Sequence, residues 1–266
     1  AASIAGIPGA SVMSDTAALA LAYGKSRPDL PDEALGPRYV VLVDSGCGGL
    51  QCSMVAVTRD RALVLGSASS TATGGKAHDQ ALVEYLVTEI EAKHKCQLRN
   101  NPKALNKLRL AAEKIKKQMS ANSNKLPLQI ENLVEDIDVN ISLERAKFEE
   151  LIENDLSEVR KIFNELLNST TVKKEQIHSV EIVGGSSRIP AIRNDIKEVF
   201  GVQPSYSLNA DEAVSKGCGL MAAALSNKFR TRDFDVQEIV KDAIEAVYTH
   251  EGNQERMLIF DEGERA

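Results

Sequence analysis

Residue types that mark particular protein classes are scarce in this sequence. It has no tryptophan, four cysteines and four histidines in 266 residues. Four scattered cysteines are too few for the disulfide framework of a secreted protein. Neither C-x-x-C nor H-x-x-x-H spacing occurs, which argues against a zinc site. We therefore expect reduced thiols and no metal held by protein ligands alone.

Long apolar runs and a basic leader are also missing. No stretch approaches the roughly 18 consecutive apolar residues of a membrane helix, and none resembles a secretory signal. The hydrophobic content of 43% is high enough for a real core. The sequence thus predicts a soluble globular protein of the cytoplasm.

An excess of positive charge is absent as well. The formal net charge is −6 and the pI is near 5.4. Nucleic-acid binding needs a basic face or stripe to neutralise phosphates. The densest basic run, KIKK at 114–117, lies within a helical pattern and is typical of a solvated face. Neither nucleic acid nor a membrane is an expected partner.

Hydrophobic periodicity predicts an α/β protein with a mixed sheet and packed helices. Ser14 is a helix N-cap candidate, and Gly24 is predicted to end that first helix. Three Val- and Leu-rich runs at 39–44, 52–58 and 62–67 suit an antiparallel meander. The predicted helices cover 14–24, 78–96, 103–120, 143–168, 190–200 and 211–226, and the other predicted strands cover 126–133, 137–141 and 177–183.

Two glycine-rich turns directly follow predicted strands: VDSGCGG at 43–49 and EIVGGSS at 181–187. Such turns let backbone N–H groups converge on an anion. The spacing of the glycines in these turns matches neither the P-loop nor the dinucleotide-binding fingerprint, which argues against both of these classes of site. A tight hairpin turn with no ligand would also explain VDSGCGG taken alone.

Further elements favour a phosphate and nucleoside site. TGGK at 73–76 opens a predicted helix, whose first amides and dipole would attract a phosphate. On the helix 103–120, four polar residues recur at three- and four-residue steps and can share one face: Glu113, Lys116, Lys117 and Ser120. This face, opposite the Gly-Gly turn of EIVGGSS, could hold an adenosine.

Four segments resemble the nucleotide-binding domain of the heat-shock protein 70 superfamily. EIVGGSSRIPAIRNDI and LNADEAVSKGCGLMAA are similar to its V-G-G-S-T-R-I-P and N-x-D-E-A-V-A-x-G motifs. SDTAALALAYG resembles E-P-T-A-A-A-x-A-Y-G, and FEELIENDL resembles the F-E-E-L helix. LNADEAVSKGC and FRTRDFDVQEI are more similar to the heat-shock protein 110 branch. The resemblance implies an actin-like, ribonuclease H-like ATPase lobe.

The resemblance also implies a set of site residues. Asp44 matches the acid of the phosphate turn D-L-G-G-G-T-F-D and is the one candidate catalytic group. The implied cofactor is ATP or ADP with Mg²⁺, and Asp15 stands where the family has a Glu near the metal's water shell. The remaining implied nucleotide-binding residues are Gly46, Gly48, Gly75, Glu113, Lys116, Lys117, Ser120, Gly184, Gly185, Ser186, Arg188 and Asp211.

The departures from the family pattern concentrate in the catalytic half of the phosphate turn. Cys47 replaces its middle glycine, Gly49 its Thr, and Gln51 its second Asp. Removing a positioned acid or base costs about 10²- to 10⁴-fold in rate. We therefore expect a nearly complete adenosine clamp with depleted hydrolysis.

The resemblance sets expectations for the bounds of the chain. Residues 1–230 match the second lobe of the nucleotide-binding domain, and the first lobe, with its D-x-G-T-T turn and catalytic Lys, is not in this sequence. Residues 231–266 form a tail, and its final FDEGERA is similar to a Y-E-G-E-R-A strand of the substrate-binding β domain. The chain is thus expected to be a truncated or abnormally spliced family member.

The function implied is that of an ATP- or ADP-binding chaperone fragment that assists protein folding and the stress response. Its partners would be a heat-shock protein 70 chaperone and unfolded client proteins. One alternative is a nucleotide-exchange cochaperone with little ATPase activity of its own. Others are a sugar kinase or actin relative with the same fold, and a decayed fragment without function.

Overall fold

The computed structural model describes residues 1–7, 9–134, 137–240, 243–250 and 253–261. Short 3-10 turns occur at Glu33–Leu35, Lys174–Gln176 and Gly185–Arg188. The helices are α1 (Asp15–Ser26), α2 (Gly75–His94), α3 (Pro102–Ala121), α4 (Arg145–Leu151), α5 (Glu153–Asn168), α6 (Pro190–Phe200) and α7 (Ala213–Ala224). The strands are β1 (Arg38–Ser45), β2 (Leu50–Val57), β3 (Arg61–Ser70), β4 (Leu126–Val134), β5 (Ile137–Leu143), β6 (Ile177–Val183), β7 (Pro204–Ser205), β8 (Asp235–Gln237), β9 (Ile244–His250) and β10 (Asn253–Phe260).

A six-stranded mixed sheet forms the centre of the fold, in the order β7-β6-β1-β2-β3-β8. Strands β1, β2 and β3 pair antiparallel, which confirms the predicted meander. Strand β6 pairs parallel with β1, and β8 pairs parallel with β3. The α/β class with a mixed sheet is therefore confirmed.

Side chains of β1 are buried on both faces of the sheet. Val41 and Val43 pack into one core with α2, α3, α5 and α6, while Val40 and Leu42 pack into a second core with α1. Successive side chains of a strand point to opposite faces, so a strand covered on both sides is continuously apolar. The run VVLV of β1 has this pattern.

Helix α1 differs from the prediction at its C-terminal end. Ser14 is its N-cap and accepts a hydrogen bond from the amide of Ala17, as expected. Gly24, however, lies inside the helix and is buried. The ring of Phe234 packs so closely against it that a Cβ at this position would lie 2.0 Å from a ring atom. The glycine makes room for an aromatic ring from the far end of the chain and does not end the helix.

Helices α2 and α3 and a β-hairpin form a layer on one side of the sheet. Helices α2 and α3 pack against each other, and the hairpin of β4 and β5 packs on α3. The predicted break in the 143–168 helical block occurs at Ile152, between α4 and α5. Strand β6 and helix α6 have the predicted bounds.

The segment predicted as a tail from residue 231 contributes to the sheet at its start. Strand β8 extends the sheet beside β3, and β9 and β10 form a separate antiparallel hairpin. The division at residue 230 stays a prediction. Residues 262–266, which contain most of the FDEGERA similarity, lie outside the described residues.

Candidate functional site

Three glycine-containing turns meet at one end of the sheet. The carbonyl of Gly46, in the turn between β1 and β2, accepts hydrogen bonds from the Gly75 amide at 3.0 Å and the Ser186 hydroxyl at 2.9 Å. The carbonyl of Cys47 accepts one from the Lys76 amide at 2.9 Å. The β1–β2 turn is thereby bonded to the start of α2 and to the turn after β6.

Close backbone approach makes glycine necessary at two positions. Gly184 has φ +82°, and a Cβ there would lie 2.3 Å from the carbonyl oxygen of Ser45. Gly74 has φ +139°, and a Cβ there would lie 2.7 Å from the amide nitrogen of Gly49. Side chains rarely adopt such φ values, so these glycines allow the three turns to meet.

Two of the amides expected to attract a phosphate, those of Gly75 and Lys76, are bonded to the carbonyls of Gly46 and Cys47. In contrast, the amides of Cys47, Gly48 and Gly49 find no hydrogen-bond acceptor among the described residues. Successive unpaired amides in a turn form a concavity suited to an anion. The β1–β2 turn therefore has the capacity to bind an anion.

A cleft of about 350 Å³, named here the turn cleft, lies on one side of this turn. It contains two carboxylates, Asp15 from the start of α1 and Asp44 from the end of β1. Burial, and then the nearby charge of Asp15, raise the pKa of Asp44 above its usual range. Two adjacent carboxylates of this kind favour the approach of a cation.

Gln51 lines the turn cleft and is held by hydroxyl groups. Its side-chain amide nitrogen donates to the Thr16 hydroxyl, which lies 3.0 Å from the hydroxyl of Ser53. Thr16 and Ser53 are buried, so this chain fixes the glutamine on the floor of the cleft. A neutral amide takes the place that the resemblance assigns to a carboxylate.

A second cleft, of about 400 Å³ and named here the clamp cleft, lies on the other side of the turn. Helix α3 forms one wall and the turn after β6 forms the other. Its lining consists of Cys47, Gly75, Asp79, Glu113, Lys116, Lys117, Ser120, Gly185, Ser186, Arg188, Ile189 and Asp211.

Lys116 joins the walls of the clamp cleft. Its ammonium lies 2.7 Å from a carboxylate oxygen of Asp79 and donates to the carbonyl of Gly75 at 3.1 Å. The Lys116 side chain is only 11% exposed. Burial raises the pKa of Asp79, and the charge of Lys116 opposes that shift. This pair, a buried ammonium and a partly exposed carboxylate, fixes α3 against the first turn of α2.

Two exposed ion pairs stand at the rim of the clamp cleft. Lys117 lies 2.7 Å from Glu113, one helical turn earlier on α3. Arg188 lies 2.9 Å from Asp211, and both side chains are more than half exposed. Exposed ion pairs of this kind contribute at most about 1 kcal/mol to stability. A ligand can therefore replace these contacts with its own at a small cost in free energy.

A buried histidine lies next to this wall. His78 in α2 has no exposed surface, and its Nε2 lies 3.9 Å from a carboxylate oxygen of Asp155. Burial, together with the charge of Lys116, lowers the pKa of His78 to about 4. The imidazole is therefore neutral at pH 7 and adds no charge to the site.

The fold brings the predicted site residues together at the β1–β2 turn. Asp15, Asp44, Gly46 and Gly48 line the turn cleft. Gly184 lines neither cleft and acts through its backbone contact with Ser45. Nine others line the clamp cleft: Gly75, Glu113, Lys116, Lys117, Ser120, Gly185, Ser186, Arg188 and Asp211.

Sequence reasoning missed Asp79 and the lining role of Cys47. Asp79 follows Gly75 by four residues, one helical turn, and this spacing could have placed it on the same face of α2. Cys47 has an exposed thiol in the β1–β2 turn and lines the clamp cleft. In the family resemblance, Cys47 stands out only as a departure from a glycine pattern.

The described part of the chain has neither a membrane-spanning helix nor a metal-binding cluster of side chains. None of its helices is both long enough and apolar enough to cross a membrane. In the same residues, no three side chains of His, Cys, Asp or Glu are grouped so that they could hold a metal ion.

Comparisons with known proteins show the family to which the chain is similar. The Hsp70 protein family matches residues 1–258. Heat shock 70 kDa protein 4 of Homo sapiens is 42% identical over 237 residues, which are 89% of this chain and 28% of that protein. The 97 kDa heat shock protein of Strongylocentrotus purpuratus is 42% identical over 245 residues, 92% of this chain and 28% of that protein.

A third relative, Heat shock 70 kDa protein 4L of Homo sapiens, is 39% identical over 244 residues, 92% of this chain and 29% of that protein. The superfamily resemblance and its heat-shock protein 110-like branch are thereby confirmed. The chain spans less than a third of the length of these curated relatives.

Proposed function

The chain belongs to the Hsp70 protein family, and we propose that it binds ATP and ADP in the clamp cleft and the turn cleft, as part of a chaperone that assists protein folding in the cytoplasm. The observation that carries the proposal is the row of unpaired amides at Cys47, Gly48 and Gly49, in a turn that borders both clefts. Phosphate oxygens accept hydrogen bonds from such amides.

The clamp cleft offers groups suited to a nucleoside. Glu113 and Ser120 are hydrogen-bonding partners for ribose hydroxyls. Lys117 and Arg188 stand on facing walls, and each can lie over the face of a purine. This assignment follows the family motifs and stays a proposal for each residue.

Asp15 and Asp44 suit a hydrated magnesium ion. Mg²⁺ keeps several of its waters and is usually bound through one or two carboxylates together with phosphate oxygens. In this role the metal ion neutralises phosphate charge. The two aspartates would accept hydrogen bonds from its waters, at the side of the turn where the carboxylates lie.

A second candidate function is nucleotide exchange for a conventional heat-shock protein 70. The fixing of Gln51 by Thr16 and Ser53 favours it, because an amide held in this way cannot take a proton from an attacking water. Nucleotide would then stabilise the fold without efficient turnover. Since the chain spans under a third of its relatives, chaperone and exchange activities are proposals for the whole protein.

Gly185 offers a test that separates binding from folding. A Cβ at Gly185 would meet no heavy atom within 4 Å, yet the residue lines the clamp cleft. We expect Gly185→Val to fold normally and to bind a fluorescent ADP analogue at least about tenfold more weakly, a loss of about 1.4 kcal/mol. The control is Gly219→Ala in α7, which also has free space and lies outside both clefts.

Equal affinity of the analogue for wild type and Gly185→Val would contradict nucleotide binding in the clamp cleft. The two candidate functions are separated by a parallel assay of the 266-residue chain. ATP turnover by the chain supports an active ATPase. Accelerated ADP release from an added heat-shock protein 70 without such turnover supports exchange.

A further inference from the structure

A third cleft, of about 570 Å³ and named here the outer cleft, lies beyond the rim of the clamp cleft. The two clefts share Lys117, Ser120 and Arg188. The rest of its lining plays no part in the proposed nucleotide site: Ala121, Ser187, Arg193, Tyr206, Leu208 and Ala210.

The outer cleft is cationic on a chain that is acidic overall. Three cationic side chains, Lys117, Arg188 and Arg193, line it, and no carboxylate occurs among its described lining residues. Lys117 and Arg188 are paired with carboxylates of the neighbouring clamp cleft, whereas Arg193, among the described residues, is not. The net charge of the whole chain is −6. Glu113 raises the pKa of Lys117, and the nearby charge of Arg188 opposes that shift only weakly.

The Arg193 side chain is fixed by two contacts, and among the described residues it has no acidic partner. Its Nε donates to the carbonyl of Ser187 at 3.2 Å, and its guanidinium carbon lies 5.0 Å from the centre of the Tyr206 ring. No carboxylate of the described residues comes within 4 Å of Arg193, whereas Lys117 and Arg188 each have one. A guanidinium fixed in this way presents its terminal N–H groups for bidentate bonds to an oxyanion.

Apolar surface lies among these cations. Tyr206 is 50% exposed, and Leu208 forms a buried floor next to Ala210. A small inorganic anion would use the charges and leave this surface uncovered. A nucleic acid needs a longer basic stripe than the cleft provides. A peptide with alternating acidic and apolar side chains matches both features.

We propose that the outer cleft docks an acidic peptide segment of a partner protein, with carboxylates on Arg193, Arg188 and Lys117 and an apolar side chain on Tyr206 and Leu208. This inference does not depend on nucleotide binding. Where nucleotide also binds, Lys117 and Arg188 serve both clefts, so each ligand changes the affinity for the other by the same factor.

Fluorescence anisotropy with labelled eight-residue peptides tests the proposal on the full chain. We expect a peptide of alternating Glu and Leu to bind saturably at low salt, and its Gln and Leu counterpart to bind at least tenfold more weakly. Added salt weakens the binding because it screens exposed charges. Arg193→Ala and Tyr206→Ala should each weaken it at least fivefold, while Arg109→Ala, an exposed arginine of α3 outside all three clefts, should leave it unchanged.

Each other outcome is decisive. Equal binding of the Gln peptide, or unchanged binding by Arg193→Ala, overturns the proposal. Displacement of the peptide by millimolar inorganic phosphate identifies a small-anion site and also overturns it. Peptide binding without ADP binding refutes the proposed function and supports the docking site. ADP binding that Arg193→Ala leaves intact, without peptide binding, refutes the docking site alone.

Discussion

The ammonium of Lys116 lies 2.7 Å from a carboxylate oxygen of Asp79, and this ion pair joins α3 to α2 at the wall of the clamp cleft. The same ammonium donates to the carbonyl of Gly75. Because Gly75 in turn donates to Gly46, the pair is linked to the turn with the unpaired amides. The nucleoside and phosphate parts of the proposed site are thus positioned by one connected network.

Asp79→Ala should destabilise the protein by about 1–3 kcal/mol, because it leaves the buried ammonium of Lys116 without its carboxylate partner. Urea unfolding measures this loss. The matched control is Glu165→Ala, which removes one partner of the exposed pair with Lys161 at 3.8 Å. That change should cost less than about 0.5 kcal/mol. Equal losses in the two variants would mean that the Lys116 pair is no stronger than a surface pair.

Gly217 allows α7 to cross closely over α1. A Cβ at Gly217 would lie 2.0 Å from the carbonyl oxygen of Ala18. Gly217→Ala should therefore separate the two helices and lower the free energy of unfolding by about 1–3 kcal/mol. In the same helix, Gly219 has free space, so Gly219→Ala should be neutral or stabilising by up to about 1 kcal/mol. A neutral Gly217→Ala would show that α1 and α7 are not packed this closely.

The burial of Asp195 in α6 should give the protein an unusual dependence of stability on pH. Its side chain is 9% exposed and lies 3.3 Å from Arg160. Burial raises the pKa of Asp195 to about 6, despite the opposing charge of Arg160. The folded state therefore binds more protons than the unfolded state between pH 3.8 and about 6. The contribution of Asp195 to stability is complete below that window and is lost as the pH rises through it.

Asp195→Asn isolates this effect. Urea unfolding at several pH values should show the variant gaining stability relative to wild type as the pH rises from about 4 to about 6, and a constant difference above that range. His78, whose lowered pKa acts in the opposite direction, is present in both proteins and cancels. A difference that does not change with pH would contradict the raised pKa of Asp195.

Gln51→Asp adds a third carboxylate beside Asp15 and Asp44 in the turn cleft. We expect the added charge to make nucleotide affinity more dependent on Mg²⁺, by about tenfold between metal-free and magnesium-containing buffer. Turnover should remain low, because Gly49 still stands where the family has a Thr. Gln51→Asn is the neutral control. Rapid ATP hydrolysis by Gln51→Asp would show that the single amide was what suppressed catalysis.

Local sequence signals predicted the parts of the fold that depend on local chemistry. The continuous apolar run of β1, the Pro190 start of α6 and the Ser14 cap of α1 are set by neighbouring residues, and the structure has all three. Gly24 was misinterpreted because its role depends on Phe234, which is distant in sequence. A helix-ending glycine and one that admits a ring look alike in a sequence.

In the candidate site, too, the sequence predicted some features but not those that depend on tertiary contacts. Motif similarity brought Glu113, Lys117 and Arg188 to one cleft, since their positions follow from the fold. It could not show that the amides of Gly75 and Lys76 are bonded to the carbonyls of the β1–β2 turn. It also missed the pairing of Lys116 with Asp79. Both features arise from tertiary contacts, which spacing along one helix does not encode.

Titration calorimetry of the 266-residue chain with Mg-ADP, paired with a thermal melt, tests nucleotide binding at the β1–β2 turn. We expect saturable one-site binding. At about 100 times Kd, ADP should raise stability by about 2.7 kcal/mol, which raises the Tm by about 5 °C or more. A chain that melts cooperatively, shows no heat of binding and keeps its Tm in saturating ADP would contradict the claim that the β1–β2 turn and the clamp cleft form a nucleotide site.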